Sequence, residues 1–168
     1  MLLILPFRPM PITIRVARIQ DAHDIARLTA QLGYDTTPAD VSARLTRIGS
    51  KWDQRFLIAE ADCHAVGWLH VVIAEFVEAE PFGVIAGLVV DRGHRRQGIG
   101  RLLIDAAEAW ARERGCSLMR LWSSVSRSEA HRFYEHLGYA NVKTQHAFAK
   151  PLDAAGQEQM ARVIPRVK

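Results

Sequence analysis

The chain has 168 residues, 49% of them hydrophobic, and a formal charge of +4 at neutral pH. That length supplies one well-buried core and not two, so a single domain is expected. The modest positive excess suits an anionic partner but falls well short of the balance of a dedicated nucleic-acid binder, and a phosphorylated small molecule answers to it equally well.

The two cysteines, Cys63 and Cys116, lack the paired spacing of a metal clip or a disulfide framework and read as reduced thiols of a cytoplasmic protein. Met1-Leu2-Leu3-Ile4-Leu5 is apolar, but Pro6, Pro9 and Pro11 interrupt the run. A secretory signal needs a basic start and a longer apolar stretch, and a membrane span needs about 20 apolar residues. A soluble, cytoplasmic chain without membrane contact is expected, with residues 1–10 as an extension and Met10 as an alternative start.

Ile12 to Ile19 alternates branched apolar residues with Thr13 and Arg15, the period of a half-buried strand. Asp21 is placed to cap a helix whose stripe is Ile25, Leu28 and Leu32, with Gly33 as its stop. Thr37-Pro38 starts a second helix carrying Val41, Leu45 and Ile48, closed by Gly49. Phe56 to Glu60 and Ala65 to Val77 read as a hairpin about an Asp62-Cys63-His64 turn. Pro81-Phe82-Gly83 is expected to break the chain before a strand from Val84 to Val90. Leu102, Leu103, Ala106, Ala107 and Trp110 mark a helix from Gly98 to Arg114, stopped by Gly115. Leu118 to Trp122 is a further strand, Ser128 to Leu137 a further helix stopped by Gly138, and Tyr139 to Lys150 a final extended region. The tail after Pro151 shows no firm pattern. This order gives an α/β layout with a mixed sheet, since early hairpins are antiparallel and strand-helix-strand units favour parallel neighbours.

The most informative stretch is Leu88-Val89-Val90-Asp91-Arg92-Gly93-His94-Arg95-Arg96-Gln97-Gly98-Ile99-Gly100-Arg101, a strand that passes through a basic, glycine-bearing turn into a helix. The first N–H groups of a helix have no internal partner and lie at the positive end of its dipole, so a diphosphate placed there gains hydrogen bonds and a favourable field. Gly98 and Gly100 permit close approach to the main chain, and Arg95, Arg96 and Arg101 add charge. A dinucleotide fingerprint would need glycine where Leu103 stands, and a Walker loop would need Gly-Lys followed by Ser or Thr. A solvated basic turn or a nucleic-acid backbone contact are the plainer alternatives.

Arg95-x-x-Gly98-x-Gly100 after Leu88-x-Val90 resembles the acetyl-CoA signature of the GCN5-related N-acetyltransferase (GNAT) superfamily. Phe133-Tyr134-x-x-x-Gly138-Tyr139 resembles its second hallmark, and the element order from Ile12 to Lys150 agrees. The resemblance implies a mostly antiparallel mixed sheet with a V-shaped opening between the fourth and fifth strands, residues 11–152 as the catalytic domain, and residues 153–168 as a weakly ordered tail. It also implies acetyl-CoA as cosubstrate. Leu88, Val89 and Val90 would then pair with the pantetheine arm, while Arg96, Gln97, Gly98, Ile99, Gly100 and Arg101, with Arg95, wrap the pyrophosphate. Tyr134 matches the position that protonates the departing thiolate in many members. Many members carry asparagine seven residues before this tyrosine; here Arg127 stands there and either reaches a CoA phosphate or faces solvent.

An alkyl ammonium must lose a proton before it attacks a thioester. Glu75, Glu78 and Glu80 lie where family members often place a carboxylate base or a water chain, and Glu75 and Glu78 are the first choices. Asp35 and Asp40 could line an opposite wall and attract a cation, while Tyr34, Trp68 and His70 could shape the acceptor pocket. His131 and His136 are turned about 140° apart on a helix, unlike a zinc pair. An N-acetyltransferase acting on a small amine or an aminoglycoside-like acceptor is favoured, working by direct attack in a ternary complex without nucleic acid, and a homodimer is possible. A peptide N-terminus or lysine as acceptor, or a non-catalytic acyl-CoA-binding protein, are the alternatives.

Overall fold

The computed structural model describes residues 11–163, so the expectations for residues 1–10 and for the last five residues of the tail lie outside it. The chain divides into two compact units, the division falling after Trp122.

The first unit is a five-stranded sheet ordered β1-β2-β3-β4-β5, where β1 is Thr13–Val16, β2 Gln54–Ala61, β3 His64–Phe76, β4 Ala79–Val90 and β5 Met119–Leu121. Neighbours are antiparallel except β4 and β5, which are parallel, so the mixed sheet expected from the element order is formed. The turn between β2 and β3 needs positive φ at both central residues, and Asp62 and Cys63 supply it at 50° and 63°. Helices α1 (Ala22–Ala30) and α2 (Pro38–Gly49) cover one face. Ile25, Leu28, Val41 and Leu45 pack there with Ile58, Trp68 and Val89 of the sheet. Thr37 caps α2 as its sequence suggests: the Asp40 N–H donates to Thr37 Oγ1 at 3.1 Å, and the Thr37 N–H donates to Asp40 Oδ2 at 3.1 Å. Helix α3 (Ile99–Glu113) buries Leu103, Ile104, Ala107 and Trp110.

Three local expectations change. Asp21 makes no side-chain cap on α1. It turns back to accept from the Arg18 N–H at 2.6 Å and from both terminal nitrogens of Arg15 at 2.9 Å, while Arg15 also grips Glu60. This cluster ends β1 at Val16 and folds Ile19–Asp21 into a 3-10 turn. Pro81, expected as a break, lies inside β4. Ala74 pairs with Phe82 and Phe76 with Ala79, leaving Glu80 and Pro81 against Glu75 alone, and this irregularity accommodates a residue without an N–H. The third change concerns Ala86. His70 pairs with Gly87 and Val71 with Ile85, so Ala86 is an extra, bulged residue in the middle of β4.

Gly87 next to that bulge is held by packing. A Cβ there would lie 2.9 Å from Trp68 Cζ3 and 3.0 Å from Cη2. The indole is a rigid plate stacked on Phe56 at 5.2 Å, so it cannot yield as a flexible side chain would. Gly87→Ala is expected to destabilise the fold by about 1–3 kcal/mol, checked by urea unfolding.

The second unit holds α4 (Ser128–His136) and α5 (Ala154–Val163). Between them Tyr139 to Lys150 forms no paired strand. Every residue from 141 to 150 is exposed, Val142 and Phe148 at 85% and 95%, so the stretch shows no alternation of buried and exposed positions. The tail, patternless by periodicity, nonetheless forms α5 because Asp153 caps it, accepting from the Gly156 N–H at 2.7 Å.

Candidate active site

Pairing between β4 and β5 covers Gly83, Val84 and Ile85 only, and it stops at the Ala86 bulge. Beyond it β4 continues to Val90 with β3 on one side. The Asp91 N–H donates to the Val66 carbonyl at 2.8 Å, which sets the alternation of the antiparallel ladder. The main-chain groups of Leu88 and Val90 therefore point to the edge away from β3, where the described residues offer no strand partner. The Arg95 side chain already uses that edge, donating through Nε to the Val90 carbonyl at 3.3 Å. Val89 points its side chain into the core under α1.

The turn after β4 is locked by Asp91. One carboxylate oxygen accepts from Gln31 Nε2 at 2.7 Å and Arg27 at 2.9 Å, and the other from the Gly93 N–H and His94 Nδ1 at 3.0 Å each. Gln31 returns a bond by accepting from the Arg92 N–H at 3.0 Å. These bonds, led by His94 and Gln31, hold the Asp91 carboxyl far below the usual carboxylate range. Sequence inspection did not single out Asp91, although Asp-x-Gly at a strand end is a turn signal.

The chain then enters α3 through Arg96 at φ 63° and Gly98 at φ 79°. A Cβ at Gly98 would meet no heavy atom within 4 Å, so the space in front of the helix start is open. The first intrahelical bond from this end is the Leu102 N–H to the Gly98 carbonyl at 3.1 Å, which leaves the N–H groups of Ile99, Gly100 and Arg101 with no carbonyl a turn behind them in the helix. Arg95, Arg96, Gln97 and Arg101 are exposed around this point. Free amides, cations and an unfilled approach are what a diphosphate requires, so these residues fit the cosubstrate that the family implies.

In the second unit Tyr134 lies between Phe133 and Tyr139, with ring centroids 5.2 and 5.9 Å away. Burial pushes its phenol above the ordinary value of 10, against a smaller opposing pull from Arg127. Arg127 itself is exposed and precedes the first residue of α4.

Glu75 and Glu78 are exposed at the other end of β4 from the turn. At about 3.3 Å per residue, the five positions from Ala86 back to Pro81 put Glu75 roughly 17 Å along the sheet from the bulge. Glu75 is close enough to Cys116 that, after burial, its charge is the second cause raising that thiol. Asp40 is engaged in the α2 cap, and Tyr34 and Asp35 are exposed. His70, by contrast, stands opposite Gly87, one residue from the bulge. Its Nε2 lies 3.2 Å from Gln54 Oε1, a contact that suits the neutral ring carrying its proton on Nε2. Burial, with the nearby Lys51 charge as a second cause, holds this imidazole below its ordinary 6.5 and therefore neutral at pH 7. His70 and Trp68 form part of the floor of a hollow of about 410 Å³ between α2 and the sheet.

The fold agrees with comparison to known proteins. A profile of the Acetyltransferase (GNAT) family matches residues 19–139, and the chain belongs to that family. It is an N-acetyltransferase with acetyl-CoA as cosubstrate. Over 146 residues it is 30% identical to an aminoglycoside N(6')-acetyltransferase type 1 of Stenotrophomonas maltophilia, covering 84% of this chain and 94% of that protein. An aminoglycoside 6'-N-acetyltransferase from Acinetobacter haemolyticus, 25% identical, superposes with a TM-score of 0.73 over 84% of this chain and 99% of its own. Another aminoglycoside N-acetyltransferase, solved in complex with CoA and 22% identical, shares the fold with a TM-score of 0.78 over 87% of this chain and 99% of its own.

Proposed function

We propose that the chain moves the acetyl group of acetyl-CoA onto a primary amine of a small molecule by direct attack within a ternary complex. The observation that carries this reading is the β4 edge left open beyond Ala86, which leads straight into the free amides at the start of α3. In this proposal the main-chain groups of Leu88 and Val90 pair with the pantetheine arm, with Val89 anchoring the strand. Arg95, Arg96, Gln97, Gly98, Ile99, Gly100 and Arg101 surround the diphosphate, and Arg127 reaches a CoA phosphate. The bound cosubstrate supplies an activated thioester carbonyl. Tyr134 returns a proton to the departing sulfur, a task its elevated phenol suits because it stays protonated at neutral pH.

The ammonium of the acceptor gives its proton to His70, the neutral imidazole nearest the bulge, rather than to Glu75 or Glu78 at the far end of β4. A panel of small primary amines is used, with an aminoglycoside included because relatives are named for that class. The full chain is mixed with acetyl-CoA and the panel, and thiol release is followed; no amine raising release above the amine-free rate sinks the proposal. His70→Gln is expected to lower kcat/KM about 100-fold while CoA affinity is kept, and Glu75→Gln and Glu78→Gln to stay within about twofold. Loss in the glutamate variants with retention in His70→Gln would reverse the assignment. A base must be unprotonated, so activity falls as pH drops through the His70 pKa. That limb is expected below pH 6.5, and it should move upward in Lys51→Met, where the neighbouring positive charge is gone.

A further inference from the structure

The hollow between α2 and the sheet has a lining of unusual sign for a site whose sequence relatives are named for polycationic antibiotics. Its floor is apolar and aromatic: Phe56 and Trp68 stack at 5.2 Å, and Phe56 meets His70 at 5.6 Å. Val41 and Leu45 of α2 close the wall above them. The charged groups in its lining are Arg44, Arg47 and Lys51, and among the described residues no acidic side chain lines it. Arg44 is positioned by donating to Thr36 Oγ1 at 2.9 Å, while Arg47 and Lys51 face solvent without an acidic partner among the described residues. The three cations lie three and four residues apart on one stripe running off the end of α2.

The hollow also adjoins the reaction centre proposed above. Trp68 of its floor is in van der Waals contact range of Gly87, and His70 pairs with Gly87 across the ladder. On β4 itself the residues around the bulge, Ile85, Ala86, Gly87 and Leu88, carry no ionisable side chain. An acceptor amine presented at Ala86 therefore has its remainder beside a positively charged rim and no carboxylate in this hollow to meet it.

We infer that this hollow selects an acceptor carrying a carboxylate and an apolar body, with the carboxylate held by Arg44, Arg47 and Lys51, the apolar part laid on Phe56 and Trp68, and the amine directed toward His70. Positive potential at the mouth of a low-dielectric recess attracts an anion and repels a polycation, so the same residues provide both selection and rejection. The cavity volume suits a ligand the size of one amino acid or a short derivative. The inference deepens the reading of the chain as an acetyltransferase of small amines and rests on it for turnover, but anion binding in the hollow does not require catalysis.

The test therefore has two arms. In the binding arm, 3-phenylpropanoate and 3-phenylpropanol are titrated into the full chain and followed by tryptophan fluorescence. The acid is expected to bind about tenfold more tightly than the alcohol, with the difference lost in Arg47→Ala/Lys51→Ala and reduced by added salt. In the turnover arm, L-phenylalanine, phenethylamine and neamine are compared as acceptors. The kcat/KM for phenylalanine is expected to exceed that for phenethylamine by about tenfold, with neamine lowest, and the double variant should erase the first gap mainly through KM. Equal binding of acid and alcohol, or neamine as the best acceptor, overturns the inference. Selective acid binding without turnover of any amine supports the hollow's preference while sinking the proposed catalytic activity.

Discussion

Tyr134→Phe is expected to lower kcat about 100-fold while leaving the CoA dissociation constant within about threefold, measured by steady-state thiol release and calorimetry. The phenol keeps its aromatic contacts with Phe133 and Tyr139 when the hydroxyl is removed, since both are ring-to-ring, so the packing of the second unit is preserved. What is lost is a proton donor. The CoA sulfur leaves as a thiolate that must be stabilised as the carbon–sulfur bond breaks. Because burial moves Tyr134 above 10, this donor stays protonated across the working range and imposes no basic limb below pH 10. A basic limb that survives in Tyr134→Phe therefore belongs to another group. An unchanged kcat would remove Tyr134 from the chemistry and leave it a packing residue.

The parts of this molecule visible in its sequence are those fixed by neighbours a few residues away. Thr37-Pro38 announces the start of α2, and the Leu103, Ala107 and Trp110 stripe announces α3, because caps and helical faces are set within a turn or two. The prediction for Asp21 failed for the complementary reason. As an isolated residue it is a good helix cap, but Arg15 is held by Glu60, a residue of β2, and that ion cluster takes the carboxylate away from α1. Pro81 misled in the same way, since a bulge created by the register with β3 lets a strand run through it. Glu75 and Glu78 sit on the expected strand and turn, yet only the register shows how far along the sheet they stand from Ala86. The hollow was the least legible feature. Arg44, Arg47 and Lys51 belong to no sequence motif and are gathered only when α2 is laid over Phe56 and Trp68; Trp68 and His70 are legible as candidates to shape an acceptor pocket, but the register that sets His70 against Gly87 beside the bulge is not.

The helix start at Gly98 offers a way to separate backbone strain from ligand contact. At φ 79° an alanine suffers the left-handed penalty of about 1–2 kcal/mol, whereas asparagine adopts this region readily. The Cβ of either residue has open space, with no atom beyond the adjoining backbone within 4 Å. Gly98→Ala is therefore expected to lose about 1–2 kcal/mol of folding stability, and Gly98→Asn less than half of that. Both place atoms where the diphosphate would approach the amides of Ile99, Gly100 and Arg101. Losing two charge-assisted hydrogen bonds of about 1.5 kcal/mol each corresponds to a CoA dissociation constant raised about 100-fold. The asparagine variant is the decisive one: a chain of near-native stability that no longer binds CoA locates the phosphate at this turn. Undiminished affinity in the same variant would move the diphosphate elsewhere, and the roles assigned to Arg95, Arg96 and Arg101 would move with it.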